Sequence, residues 1–138
     1  MKIEIISGSP RTNSVTKRVA LHLKNWMLQQ TNHEIDMIEM KDWDVPPVQS
    51  VWVSVDKAPV ELQPLAKRIF EADAFILVTP EYNGTHYLYI TLFYYLLVTH
   101  TVLVFQVTTG RDGNDLHIIM RMGSKAHGSG NSIIVQYS

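Results

Sequence analysis

The hydrophobic positions of the chain change their period from one segment to the next, which predicts alternating strands and helices. Short apolar runs predict strands over residues 2–6, 34–40, 74–79, 102–107 and 132–136. Apolar residues at helical spacing predict helices over residues 14–30, 60–72, 87–98 and 115–122. This βαβαβαβαβ order is typical of a parallel sheet with helices on both faces, joined by right-handed crossovers. We therefore predict a doubly wound α/β fold with five parallel strands.

Length and composition narrow the class of protein. With 138 residues the chain has the size of a single domain, which we predict over residues 1–138. The formal net charge is −1, so no overall field draws the protein to nucleic acid or to an anionic membrane. The chain has no cysteine, which excludes disulfides and thiolate nucleophiles, and its first residues do not form a secretory signal. We expect a cytoplasmic protein.

One segment departs from this composition, because no Asp, Glu, Lys or Arg occurs from Tyr82 to Thr109. Its length alone would allow a membrane-spanning helix. However, the segment is interrupted by His100 and then becomes β-branched at Val102 and Val104, which indicates a helix, a break and a buried strand. We therefore expect no membrane span.

Three loops follow the carboxyl ends of predicted strands, where ligands bind in open α/β sheets. They cover residues 7–14, 80–86 and 108–114. The first loop combines Gly8, Ser9 and Ser14 with Arg11, directly before a helix. Backbone N–H groups, hydroxyls and a guanidinium in that place suit a phosphate group. The alternative is a Ser/Asn helix cap beside a solvated arginine, which needs no ligand.

The second loop suits a flat aromatic ring with a polar edge. Pro80 and Gly84 bracket a rigid turn, Tyr82 offers a face for stacking, and Asn83 both donates and accepts hydrogen bonds. The third loop brings hydroxyls and glycines to the same edge from Thr108 onward. Each loop alone is compatible with an ordinary turn, but the convergence of all three favours a ligand site.

No side chains stand out for acid–base or metal chemistry. The histidines are scattered without metal-ligand spacing, so we predict no metal site and nominate no catalytic side chain. The predicted helix over residues 87–98 is apolar on nearly all sides and rich in tyrosine, which indicates burial. Because one face of such a helix would be free on the sheet, we expect it to form a homodimer interface.

Two motifs together resemble a known family. The segments GSPRTNSVTKRVA and LVTPEYNGT are similar to the GSxRxxS and PEYNGS motifs of the NADPH-dependent FMN reductase family. That family is flavodoxin-like and includes quinone, azo-dye and chromate reductases. The resemblance is clear over residues 1–85 and implies the strand order 2-1-3-4-5, bound FMN and hydride transfer from NADPH or NADH. It further implies a homodimer or homotetramer and a small electron acceptor, namely a quinone, a flavin, an azo dye or a metal oxyanion.

The resemblance also implies a role for individual residues of the three loops. The FMN phosphate would be held by Ser9, Arg11, Ser14 and Thr16. The isoalloxazine ring would be lined by Pro80, Glu81, Tyr82, Asn83 and Gly84. Its other side would be closed by Thr108, Thr109 and Gly110.

Two other functions stay open on the sequence. A non-enzymatic electron carrier of the flavodoxin type would bind FMN without oxidising NADPH, although such carriers are strongly acidic and lack the loop arginine. A flavin-free interaction module would use the loops as plain turns. Departures from the family pattern after residue 86, such as Ile90-Thr91-Leu92 and Asp112-Gly113, favour the module.

Overall fold

The chain forms helices and strands in alternation over its first 80 residues. The computed structural model describes residues 1–45, 52–80, 101–109 and 116–123, the last two ranges as backbone. The elements are β1 (Lys2–Ser7), α1 (Val15–Gln30), β2 (Glu34–Glu39), α2 (Gln63–Glu71), β3 (Ala74–Pro80), β4 (Thr101–Thr109) and β5 (Leu116–Gly123). Within the described ranges no helix is long and apolar enough to cross a membrane.

The strands form one sheet in the order β2-β1-β3-β4-β5. β1 lies between β2 and β3 and is parallel to both, with Ser7 opposite Glu39 on one side and Val78 on the other. β4 continues the parallel arrangement beside β3. The protein therefore has an α/β fold with a parallel sheet, an architecture compatible with the flavodoxin-like fold.

The two faces of the sheet carry separate hydrophobic clusters. α1 packs over a cluster that includes Ile5, Ile35 and Val78, all of them buried. α2 packs over the opposite face, where Ile6 and Phe75 are buried. Alternate residues of a strand point to opposite faces, so a strand covered on both sides is mostly apolar, as the predicted parallel sheet requires.

Most predicted elements of the described part are confirmed. α1 follows the predicted range closely. The helix predicted over 60–72 begins as a 3-10 turn over Val60–Leu62 and becomes α-helical only at Gln63, because Pro64 fits the first turn of a helix better than its interior. The predicted helix over 87–98 and the predicted strand over 132–136 lie outside the described residues.

The prediction of a helix over residues 115–122 is wrong, because this segment forms β5. β5 is antiparallel to β4, with Thr109 opposite Leu116. The sequence contains the reason: apolar residues recur at every second position from Leu116 to Met122, and Asp112-Gly113 is a dipeptide typical of hairpin turns. Five parallel strands are therefore not confirmed, since β5 runs against the other four.

A chain of ion pairs crosses the edge of the sheet near β2. Glu4, in the middle of β1, is fully buried and receives two hydrogen bonds from Arg68 of α2, at 3.0 Å and 2.7 Å. Arg68 also donates to the carbonyl oxygen of Met37 at 3.0 Å and lies 3.2 Å from Asp36. Asp36 in turn accepts a hydrogen bond from Lys24 of α1 at 2.8 Å. The network thus connects the two helical layers.

We expect the ionisation of Asp36 to make the free energy of unfolding depend on pH in the acidic range. The hydrogen bond from Lys24 lowers the pKa of Asp36, partial burial opposes this, and the Met37 N–H and Arg68 add to the lowering. A depressed pKa stabilises the fold at pH values above the unfolded-state pKa of about 3.9, and this contribution disappears as the pH falls through the folded-state value. Urea unfolding from pH 7 to 3 should show wild type and Asp36→Asn converging. A constant difference between them would contradict this assignment.

Candidate functional site

The first loop leaves the sheet at the carboxyl ends of two adjacent strands. It covers residues 8–14, between β1 and α1. The N–H of Gly8 donates a hydrogen bond to the carbonyl oxygen of Val78 at 2.8 Å, so the loop begins against the end of β3. This is the edge at which ligands bind in open α/β sheets, as predicted for the loop.

Ser14 forms the junction between this loop and α1. Its backbone is extended and its side-chain hydroxyl accepts a hydrogen bond from the N–H of Lys17 at 3.0 Å. The carbonyl oxygen of Ser14 accepts the first helical bond, from Arg18 at 3.3 Å. Ser14 is therefore a helix N-cap, which was the alternative interpretation of this residue, and the remaining N–H groups of the first turn stay available to an anion.

Loss of the N-cap should weaken the fold measurably. We expect Ser14→Ala to lower the free energy of unfolding by about 1 kcal/mol, because one N–H of the first turn loses its acceptor. Ser14→Asp, which restores an acceptor, should recover most of that loss. Urea unfolding followed by tryptophan fluorescence measures both variants. Equal stability of wild type and Ser14→Ala would show that the cap contributes nothing.

Hydroxyl groups are concentrated beside this helix end. Ser9 and Thr16 are each 3% exposed, and Ser14 is buried as well. The hydroxyl of Ser9 accepts a hydrogen bond from the N–H of Arg11 at 3.3 Å, which closes a tight turn around it, while the Arg11 residue itself is exposed. Hydroxyls, a helix N-terminus and a guanidinium in the loop and the first turn of α1 form a set of donors that suits a dianionic phosphate.

The other two predicted loops begin at the same edge. Pro80 is half-buried at the end of β3, where its carbonyl oxygen accepts a hydrogen bond from the Thr79 hydroxyl at 3.3 Å. Its register partner in β4 is Val107, so Thr108 and Thr109 end β4 at this edge. The remaining predicted site residues lie outside the described residues: Glu81, Tyr82, Asn83, Gly84 and Gly110.

The third loop also differs from the prediction, because the segment that follows it is the strand β5 and not a helix. A strand-to-helix connection was expected after Thr109, whereas the next described element is the antiparallel strand β5. The segment after β4 therefore connects two neighbouring strands. The backbone of Thr108 and Thr109 is paired with His117 and Leu116 in this hairpin.

A group of charges next to the first loop was not predicted from the sequence. Glu39 ends β2, and its carboxylate lies 2.9 Å from the ammonium of Lys17 and 3.6 Å from that of Lys41. Lys17 is the third residue of α1. The available signal was the alternation along β2, which places Glu39 on the same face as Ile35 and Met37, towards α1.

A cavity of about 480 Å³ lies beside the same helix end. Its lining consists of Thr12, Asn13, Ser14, Lys17, Arg18 and Leu21. The lining is thus polar and positively charged near the loop and apolar at Leu21. Across the described ranges, no three or more His, Cys, Asp or Glu residues are grouped as metal ligands.

Comparison with known proteins agrees with the loop chemistry. A family model described as NADPH-dependent FMN reductase matches residues 1–86, which is more than half of the chain. The chain is also similar to a curated protein of Schizosaccharomyces pombe (strain 972) named as an NAD(P)H-dependent FMN reductase. The two are 28% identical over 87 residues, which are 60% of this chain and 44% of the relative. The matched region thus spans less than half of the relative's length.

Proposed function

Because the chain belongs to the NADPH-dependent FMN reductase family, we propose that it binds FMN and catalyses the oxidation of NADPH or NADH through that flavin. The electrons would then pass to a small acceptor, for which a quinone, a second flavin, an azo dye and a metal oxyanion are the candidate classes. FMN supplies the redox chemistry, as a hydride acceptor and electron donor.

The observation that carries this proposal is the loop between β1 and α1. Buried Ser9 and Thr16, the capped end of α1 and the exposed Arg11 provide hydrogen-bond donors and positive charge within a few residues. We assign the phosphate of FMN to this loop, with Ser9, Arg11, Ser14 and Thr16 as the contacting residues. Charge-assisted bonds contribute roughly 1.5–3 kcal/mol each, so Arg11 is expected to dominate the affinity for the phosphate.

The ring of the flavin is assigned to the other two loops of the same sheet edge. Pro80 to Gly84 would line one side of the isoalloxazine, and Thr108 to Gly110 the other. Support comes from the parallel register of β1, β3 and β4, which starts all three loops at one edge. The protein needs to orient the flavin and to provide backbone donors for its pyrimidine edge, and we assign no side chain as acid or base.

We extend the proposal to the oligomeric state of the protein and its location in the cell. Residues 1–138 would form one flavodoxin-like domain in the cytoplasm, acting as a homodimer or homotetramer. The tyrosine-rich helix predicted over residues 87–98 supports an interface close to the flavin, because an apolar helix of that kind would need a cover on its outer face. Neither a nucleic acid nor a membrane surface is proposed as a partner.

One experiment distinguishes the candidate functions. The protein is purified with added FMN, its visible spectrum is recorded, and bleaching by NADPH and by NADH is followed without oxygen. Bound flavin that is bleached by either nucleotide supports the reductase. Bound flavin that neither nucleotide reduces would contradict it in favour of an electron carrier. A colourless protein would indicate an interaction module.

A further inference from the structure

A partly buried carboxylate lies between two ammonium groups, one of which belongs to the first turn of α1. The Glu39 side chain is 16% exposed, and its Oε1 lies 2.9 Å from Nζ of Lys17. Its Oε2 is buried and, among the described residues, accepts no hydrogen bond, although Nζ of Lys41 lies 3.6 Å away. The carboxylate therefore depends mainly on Lys17 and has Lys41 within reach as a second partner.

Lys17 has an unusual place for a cation. It is the third residue of α1, where the positive end of the helix dipole disfavours a positive charge. Side chains of a helix lean towards its N-terminus, so the Lys17 side chain leans towards the turn that precedes the helix. Lys17 lines the cavity of about 480 Å³ together with the loop residues Thr12, Asn13 and Ser14.

We propose that Glu39 competes with the phosphate of FMN for Lys17 and so weakens the binding of phosphorylated flavin. This inference rests on the proposed function of the loop. A dianionic phosphate is a stronger partner for an ammonium than a single carboxylate. Lys41, whose ammonium also binds Asp42 at 2.8 Å, lies close enough to compensate part of the Glu39 charge once Lys17 turns away. Loss of the Lys17–Glu39 ion pair on binding would offset part of the attraction between Lys17 and the phosphate. FMN would therefore dissociate more readily.

Removal of the competing charge should tighten FMN binding. We expect Glu39→Gln to bind FMN about three- to tenfold more tightly at low ionic strength, and the gain to shrink at about 0.5 M NaCl. Riboflavin, which lacks the phosphate, should bind both proteins equally. Quenching of flavin fluorescence by flavin-free protein measures all four affinities. Thermal unfolding confirms that the variants are folded.

Matched variants separate this exchange from a general charge effect. Glu34→Gln removes the same charge from the opposite end of β2 and should leave FMN affinity unchanged. In a Lys17→Met background, Glu39→Gln should give no gain, because the contested ammonium is absent. Lys41→Met should weaken FMN binding, because Glu39 then holds Lys17 alone.

The outcomes also separate this inference from the proposed function. FMN affinity that is unchanged or weaker in Glu39→Gln would overturn the inference alone, as would an undiminished gain in the Lys17→Met background. A wild-type protein that binds no FMN would overturn both the inference and the proposed function.

Discussion

Replacing Arg68 with methionine is expected to lower the free energy of unfolding by about 3–5 kcal/mol. Glu4 is fully buried in β1, and Arg68 supplies the two hydrogen bonds that the structure shows for its carboxylate. Methionine keeps much of the aliphatic length but leaves a buried carboxylate without its cation. Urea unfolding of the flavin-free protein at pH 7, followed by circular dichroism, gives the free energy directly.

Two further variants make this result specific to the ion pair. Lys67 precedes Arg68 on the same helix, and its ion pair with Glu71 is exposed and 3.7 Å long, so Lys67→Met should change stability by less than about 0.5 kcal/mol. The double variant Glu4→Leu/Arg68→Met should recover most of the lost stability, since a buried pair can be replaced by packed apolar residues. Equal unfolding of Arg68→Met and Lys67→Met would contradict the assignment.

Replacing Arg11 with alanine should weaken FMN binding by about 2 kcal/mol, or roughly thirtyfold. The reason is that, under the proposed assignment, Arg11 makes a charge-assisted contact to the phosphate that the hydroxyls of the loop would not replace. Affinity is measured by the quenching of flavin fluorescence on titration with flavin-free protein.

The ligand and a conservative variant serve as controls for Arg11. Riboflavin affinity should be the same in wild type and Arg11→Ala, because riboflavin has no phosphate. Arg11→Lys should fall between the two proteins for FMN, since it keeps the charge but loses the planar pair of donors. If Arg11→Ala bound FMN as tightly as wild type, the side chain would have no part in the site.

The first half of the fold could be predicted from sequence, because the apolar patterns and helix-start residues there match the strands, helices and buried positions of the structure. β3 is an apolar run, the interior of β1 is isoleucine apart from Glu4, α1 has Ser14 as an N-cap, and Pro64 lies near the start of α2. The segment 116–123 misled the prediction, because its apolar residues fit either period and an alternating order of strands and helices favoured a helix. The antiparallel pairing with β4 decides between the periods.

Those residues of the candidate site that follow from the composition of one loop could be predicted. Contacts between residues far apart in the sequence could not. Ser9, Arg11 and Ser14 follow from the composition of a loop after a strand. The approach of Glu39 to Lys17 could not be inferred, because these residues are far apart in the sequence and meet only when β2 pairs with β1 under α1. Glu4 is a similar case, since a charge in an apolar strand gives no indication of its partner.

The hydrogen bond between Gly8 and Val78 limits which changes of chain length the protein can accept. It adds one rung to the ladder between β1 and β3, beyond Ser7. A single-residue insertion or deletion in either strand would displace one loop against the other by about 3.3 Å and move the side chains of that strand to the opposite face of the sheet, where they would meet the wrong cluster. Natural length variation is therefore expected beyond Pro10 and Pro80, while the segments that precede them keep a fixed number of residues.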